Sequence, residues 1–191
     1  METPSPVNNP PSNRDLLAAC KAGDREAMRE LYEENQRRVF SVAMNYFGGN
    51  RELAEDVTQK VFVKLLTRID FRGESEFTTW LYRLTVNACT DEARKMKRFV
   101  DLSGLFGLAG PLAAEVQQLM AERDEISNLV TREIGCLRPK YRIPVVLKYV
   151  EGLSYQEIAD VMGCSAGTVA SRLNRGLKKL EAKLGHLRGS I

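Results

Sequence analysis

The stretch Ser154–Arg175, SYQEIADVMGCSAGTVASRLNR, most constrains how this chain can fold, because it contains two helix starts separated by a short turn. Ser154 and Glu157 form a capping-box pattern at the first start, and Ser165 is a suitable N-cap for the second. Between the two starts, Gly163 can take the positive φ of a turn at little cost. The stretch therefore predicts two short helices that cross closely.

The apolar residues of this stretch fall where two crossing helices need them. Ile158, Ala159 and Val161 give the first helix a buried side, and Ala159 is small at the expected crossing point. Val169 and Leu173 are four residues apart, so they share one face of the second helix. This is the spacing of a DNA-binding helix-turn-helix. The alternative is an ordinary helical hairpin that only packs.

The charge pattern favours DNA binding over that alternative. From Ser165 to Arg188 the chain has six basic residues against one acid, Glu181, which leaves five net positive charges. Such a segment suits a phosphate backbone. Residues 1–60, by contrast, hold eight basic and ten acidic residues, a net of minus two. This asymmetry fits one face for nucleic acid and another for a protein partner.

Length and composition exclude several classes of protein. A chain of 191 residues with 43% hydrophobic content can form one domain or two small ones. With a single histidine, no CxxC pair and no phosphate-binding glycine motif, we expect no metal site, no cofactor, no catalytic residue and no small-molecule substrate. No run approaches the ~18 apolar residues of a membrane span, so we expect a soluble, cytoplasmic protein without membrane contact. The scattered cysteines suit buried core positions, with regulatory disulfides as the minor alternative: Cys20, Cys89, Cys136 and Cys164.

The N-terminal half reads as a series of helices behind a polar tail. Residues 1–13 are rich in Pro, Asn and Ser, and we expect them to be disordered. Helical spacing begins at Arg14, is interrupted at Gly23-Asp24, and resumes up to Gly48-Gly49-Asn50. Over 51–68 the apolar residues recur every four positions, which predicts the clearest amphipathic helix of the chain: Leu53, Val57, Val61 and Leu65. Its charged side is either a solvated face or a docking surface.

The next segment mixes aromatic and basic residues. Phe71 and Arg72 lie in a polar loop, and an aromatic ring there can stack on an unpaired base. A helix is predicted from Phe77 to Arg98, with Trp80 on its buried side. Four basic residues near the end of this helix either complement the helix dipole or contact DNA, and both interpretations stay open.

Residues 99–125 are predicted to be a linker, because over residues 99–114 glycines and Pro111 interrupt every helix or strand pattern. Their many apolar side chains imply that the linker lies against its own domains or against a partner. Helical spacing resumes at Glu115, and Pro139 suits the first turn of a further helix. Since Pro144 lacks an N–H, that helix either starts after Pro139 or is kinked.

Together these segments resemble the sigma-70 family of bacterial transcription initiation factors, specifically its small extracytoplasmic-function group. AEDVTQKVFVKLL, residues 54–66, is similar to region 2.2, which docks on RNA polymerase. FRGESEFTTWLYRLTVNACTDEARKMKR, residues 71–98, is similar to regions 2.3 and 2.4, which recognise and open the minus-10 promoter element. The helix-turn-helix is similar to region 4, which reads the minus-35 element. The implied fold is all-α, with two small helical domains, 14–98 and 126–191, joined by a flexible linker.

The resemblance also implies roles for single residues. Docking on core RNA polymerase is assigned to Asp56, Gln59 and Phe62. Minus-10 contacts are assigned to Phe71, Arg72, Gly73, Glu74, Ser75, Asn87, Asp91, Arg94, Lys95, Lys97 and Arg98. Minus-35 contacts are assigned to Ser165, Ala166, Thr168, Ala170, Ser171, Arg172, Arg175 and Lys178. The expected partners are core RNA polymerase, promoter DNA and an anti-sigma protein. The alternative is a free-standing helix-turn-helix regulator that binds operators as a dimer.

Two positions depart from the family pattern. Ala170 stands where a Lys is frequent, so we expect one contact to phosphate or base to be missing. Gly176 stands where Ala is common, and in an exposed helix it would cost roughly 1 kcal/mol relative to Ala.

Overall fold

The computed structural model describes residues 13–67, 71, 75–105 and 125–185. Every regular element in these ranges is an α-helix, which confirms the all-α fold. The predicted tail lies outside the described residues except for Asn13, which begins the first helix. The helices are α1 Asn13–Lys21, α2 Arg25–Tyr46, α3 Arg51–Thr67, α4 Phe77–Leu105, α5 Glu125–Cys136, α6 Pro139–Tyr149, α7 Tyr155–Met162 and α8 Ala166–Leu184.

Short-range polar contacts fix the starts of the N-terminal helices. The Asp24 carboxylate accepts hydrogen bonds from the backbone N–H groups of Glu26, at 2.9 Å, and Ala27, at 3.2 Å. These bonds satisfy donors that the first turn of α2 leaves free. At the start of α3, the Asn50 side-chain oxygen accepts from the Leu53 N–H at 3.0 Å. The predicted breaks between these helices are therefore confirmed.

Helices α1 to α4 form an N-terminal unit around a shared apolar core. Three members of the predicted four-residue stripe, Val57, Val61 and Leu65, are fully buried, whereas Leu53 in the first turn of α3 is half-exposed. They meet Leu31 of α2 and Leu81 of α4 in this core. Full burial of each such side chain stabilises the unit by roughly 1.5–3 kcal/mol, which explains why α3 keeps its helical register.

Helices α5 to α8 form a C-terminal unit around a second core, to which α2 and α4 also contribute side chains. Helix α6 begins at Pro139 and includes Pro144, so the first of the two alternatives, a start after Pro139, is wrong. Pro144 is itself buried beside Val145 and Leu147, and apolar packing offsets the hydrogen bond that its missing N–H cannot make.

The end of α4 differs from the sequence prediction. The helix continues to Leu105, seven residues beyond the expected end at Arg98 and into the predicted linker. The physical reason is that residues 99–103 contain neither glycine nor proline, so nothing in the backbone stops the helix before Gly104. Residues 106–124, the remainder of that linker apart from Glu125, lie outside the described part of the chain.

Candidate nucleic-acid interface

The helix-turn-helix has the geometry that its sequence predicts. The Ser154 hydroxyl accepts from the Glu157 N–H at 3.2 Å, and the Ser154 N–H donates to the Glu157 carboxylate at 2.7 Å. Hydrogen bonding from the Ser154 side chain and from the Ser154 backbone N–H to the Glu157 carboxyl lowers its pKa. Gly163, with φ of 61°, ends α7, and the Ser165 hydroxyl caps α8 by accepting from the Thr168 N–H at 3.2 Å. The local sequence therefore specifies both helix starts and the turn.

Buried apolar contacts hold α8 in a fixed orientation. Val169 and Leu173 are fully buried and share one core with Ile158 and Ala159 of α7. None of the positions assigned to minus-35 contacts is fully buried, although Ala166 packs against this core. Four of them are exposed and four are half-exposed: Ser165, Ser171, Arg175 and Lys178, and then Ala166, Thr168, Ala170 and Arg172.

The two arginines of this outward face also contact their own domain. The Arg172 guanidinium lies 3.8 Å from the Cys164 sulfur in the turn. Although desolvation opposes the change, hydrogen bonding from Arg175 and the charge of Lys140 lower the pKa of Tyr141. The Arg172 guanidinium therefore has a partner within its own domain, which limits the rotamer entropy that this side chain would lose on a DNA contact.

Gly176 is not on the exposed side of α8, so the expectation of a simple helix-propensity cost is wrong. It is buried against α6, where an added Cβ would lie 3.0 Å from Val145 Cγ2 and 3.4 Å from the Tyr141 carbonyl oxygen. The absent side chain allows α8 and α6 to approach closely.

A second exposed basic face lies on α4. Asn87, Asp91, Arg94 and Arg98 recur at helical spacing and all are exposed. Lys95 and Lys97 extend this face, and Arg94 pairs with Asp91 at 3.5 Å. The last turn of α4 contains no basic residue, because the helix continues past Arg98. The helix dipole acts on charges within the last turn, so it does not explain why these basic residues occur here.

The loop before α4 is only partly described. Arg72, Gly73 and Glu74 lie outside the described residues, while Ser75 is half-exposed. Phe71 is also half-exposed, and its ring packs edge-on against Phe77 and Trp80, with centroids 6.0 and 5.6 Å apart. The aromatic ring that sequence reasoning assigned to base stacking is thus partly engaged with the core.

The three residues assigned to polymerase docking do not share one environment. Asp56 and Gln59 are exposed on α3, whereas Phe62 is 4% exposed and packs edge-on against Tyr32 at 4.7 Å. The Phe62 side chain packs on the buried side of α3, so it would have to move before it could contact polymerase.

Val63 is not among the residues that the sequence assigns to docking. Its side chain is 61% exposed on the same face of α3 as Asp56 and Gln59, beside a shallow cleft of about 520 Å³. Lysines and a threonine complete the cleft: Lys60, Lys64 and Thr67. The available signal was a β-branched apolar residue outside the buried stripe of α3.

The described residues contain neither a metal-ligating cluster nor a membrane-spanning helix. No cluster of three or more metal-ligating side chains occurs there. Among the same residues, no helix is long and apolar enough to cross a membrane.

Comparisons with known proteins agree with this geometry. The chain matches the family model for Sigma-70 region 2 over residues 31–99 and the one for Sigma-70, region 4 over residues 127–180. It is 31% identical over 180 residues to the ECF RNA polymerase sigma factor SigW of Bacillus subtilis, a match that covers 90% of this chain and 96% of SigW. It is 30% identical over 184 residues to the ECF RNA polymerase sigma-E factor of Escherichia coli K12, covering 88% and 92% of the two chains.

Solved structures resemble the fold over most of its length. CnrH in complex with the cytosolic domain of CnrY matches with a TM-score of 0.65 and 25% identity, covering 92% of this chain and 99% of CnrH. The sigma factor RpoE in complex with the anti-sigma factor NepR from Bartonella quintana matches with a TM-score of 0.64 and 21% identity, covering 82% and 96%. The second likeness concerns the fold alone.

Proposed function

Because the chain belongs to the sigma-70 family, in its extracytoplasmic-function group, we propose that its three exposed faces divide the work of promoter recognition among them. As a sigma factor, the protein directs core RNA polymerase to promoters through minus-10 and minus-35 elements and promotes DNA opening. Its role is regulatory rather than catalytic. Assigning residues to each step is the part that we propose.

The basic face of α4 reads the minus-10 element. This assignment depends on the position of the basic residues of α4. They lie within the helix on one exposed face rather than in its last turn. Arg94, Lys95, Lys97 and Arg98 lie where phosphates of a DNA strand can be neutralised. Asn87 can donate to and accept from base edges, and the Phe71 ring packs against Phe77 and Trp80 at the start of the same helix.

The outward face of α8 reads the minus-35 element in the major groove. Arg172 and Arg175 can reach base edges or phosphates, and Ser165, Ser171 and Lys178 add polar and charged groups beside them. Ala170 is half-exposed among these residues and supplies no hydrogen-bonding group, so one contact of the family pattern is missing. Sequence preference at the corresponding position is accordingly relaxed.

The exposed face of α3 docks on core RNA polymerase. Asp56 and Gln59 supply polar groups there, and Val63 supplies apolar area that would be removed from water on binding. Phe62 acts beneath this face, holding α3 against Tyr32.

An anti-sigma protein is the proposed regulator, because the chain belongs to the extracytoplasmic-function group and CnrH, at 25% identity, was solved in complex with the cytosolic domain of CnrY. The protein would act in the cytoplasm, where the polymerase transcribes.

Run-off transcription tests this function. Purified core polymerase is supplied with a linear template library, with and without the full chain, and start sites are mapped. We expect new start sites with shared minus-10 and minus-35 sequences. A protein that directs no start sites, yet binds duplex DNA alone at a palindromic site, would instead be the dimeric regulator.

A further inference from the structure

The two helical units are packed against each other across a mixed apolar and polar interface. Val42 of α2, with Tyr82 and Val86 of α4, is buried in the core of the C-terminal unit. On the exposed edge, the Arg83 guanidinium of α4 donates to the Asp160 carbonyl oxygen of α7 at 2.7 Å. The N-terminal unit therefore contributes side chains to a core that it does not itself enclose.

A single carboxylate joins three elements at the centre of this interface. Glu151, in the turn after α6, accepts hydrogen bonds from the Ser41 hydroxyl of α2 and the Tyr82 hydroxyl of α4, each at 2.8 Å. Hydrogen bonds to an ionised acceptor are roughly twice as strong as those between neutral groups. Burial, together with the hydrogen bond and charge of Glu151, raises the pKa of Tyr82, so its hydroxyl stays a donor.

A second contact depends on two glycines, one in each unit. A Cβ added to Gly135 of α5 would lie 2.5 Å from the Gly48 Cα in the turn after α2. Real Cβ atoms do not approach backbone so closely, so this contact requires glycine at position 135. Beside it, the Arg142 guanidinium donates to the Tyr46 carbonyl oxygen at 2.8 Å and lies 4.6 Å from the centre of the Tyr46 ring.

The packed arrangement is too small to contact both promoter elements. Elements centred at minus 10 and minus 35 are about 25 base pairs apart, or about 85 Å of straight duplex. A compact chain of this length has a radius of gyration of about 16 Å and is about 40 Å across. Duplex DNA is stiff over 25 base pairs, so bending does not close that gap.

We propose that Glu151, Ser41 and Tyr82, with the Gly48–Gly135 contact, form a latch that holds the free protein closed. The latch opens when the protein engages polymerase and promoter. The inference rests on the proposed division of promoter contacts between α4 and α8. It identifies a determinant of activity formed by contacts between the two units of the chain itself.

Small-angle X-ray scattering of the free full chain tests the closed state. Tyr82→Phe keeps the buried ring but removes the hydroxyl, and Gly135→Ala inserts a methyl group against Gly48. We expect each to lower the ratio of closed to open molecules by about ten-fold or more, with a larger radius of gyration. The matched controls Tyr149→Phe, at an exposed side chain, and Gly185→Ala, where a Cβ meets nothing within 4 Å, leave the scattering unchanged. Far-UV circular dichroism verifies that every variant is folded.

A titration in run-off transcription tests whether closure opposes promoter use. If the closed state dominates, the apparent affinity is reduced by the open fraction, so the two latch variants reach half-maximal transcription at lower protein concentration. Equal scattering of the latch and control variants would overturn the latch. Altered scattering with unchanged half-maximal concentration would show that closure does not compete with promoter binding, which also overturns the proposal. Scattering needs neither polymerase nor DNA, so its result is independent of whether the protein directs start sites at all.

Discussion

Gly176→Ala sets helix propensity against packing at one position. In an exposed helix, alanine is favoured over glycine by about 1 kcal/mol. At Gly176 the new methyl group would lie 3.0 Å from Val145 Cγ2 and 3.4 Å from the Tyr141 carbonyl oxygen. Val145 is buried and β-branched, so its χ1 angle is restricted within a helix and it cannot easily turn aside. Helices α6 and α8 would have to separate by a few tenths of an ångström.

The packing cost exceeds the propensity gain. Overpacking a well-filled core costs about 1–3 kcal/mol, against the gain of about 1 kcal/mol, so we expect Gly176→Ala to lower the free energy of unfolding by up to about 2 kcal/mol. Gly167→Ala, in the same helix, is the matched control. Its Cβ would meet only the Ser165 hydroxyl oxygen, at 4.0 Å, so the free energy of unfolding should not fall.

Urea denaturation of the full chain, followed by far-UV circular dichroism, measures both variants. Val145→Ala, alone and combined with Gly176→Ala, completes a double-mutant cycle. Removing Cγ2 makes room for the new methyl group, so the pair should be more stable than the sum of the single changes by about 1 kcal/mol. The opposite outcome is that Gly176→Ala changes the free energy of unfolding no more than Gly167→Ala does, with a cycle that is additive within about 0.5 kcal/mol. In that case the close approach of α6 and α8 is not the reason that glycine is needed at position 176.

Three further predictions concern the helix-turn-helix. Arg172→Ala and Arg175→Ala should each reduce the apparent affinity for promoters with a minus-35 element, measured in transcription assays, by about 1–3 kcal/mol. Binding to core polymerase should stay intact. Loss of core binding would contradict the assignment of the minus-35 contacts to α8. Ala170→Lys adds a cation to the outward face, so the slope of log affinity against log salt should steepen by about 1, whereas an unchanged slope would place the side chain away from DNA. Because bonds from Ser154 lower the pKa of Glu157 in the folded state, its stabilising contribution is present above the unfolded pKa of about 4.3 and is lost as the pH falls further. Glu157→Gln should remove that part of the acid sensitivity in pH-dependent denaturation, and an unaltered acid profile would refute it.

Features that depend on neighbours in sequence were predictable. The capping box of Ser154 and Glu157, the cap at Ser165 and the turn at Gly163 all lie within a few residues, and the structure confirms each of them. The same holds for Asp24 at the start of α2. Such interactions follow from residue type and spacing alone, because the helix geometry itself brings the groups together.

Features that depend on distant packing were not predictable. Gly176 reads as an exposed helix position until α6 is known to lie against it. Phe62 is assigned to polymerase docking from the sequence, yet its side chain is buried against Tyr32. Val63, one residue on, is exposed although its residue type is typical of cores. At such positions the partner element decides between exposure and burial, and a helical period cannot identify it.

The interface between the two units is the extreme case of this limit. Ser41 and Glu151 are 110 residues apart in the chain, and each alone reads as an ordinary surface residue. Their contact can still be compatible with promoter binding if polymerase favours the open state strongly enough. Moving a two-state equilibrium from 1:99 to 99:1 requires a differential binding free energy of about 5.5 kcal/mol, whereas a nanomolar complex supplies about 12 kcal/mol. If polymerase binds only the open state at such an affinity, docking opens the latch and the complex is still firmly bound, so closure lowers the activity of the free protein without preventing initiation.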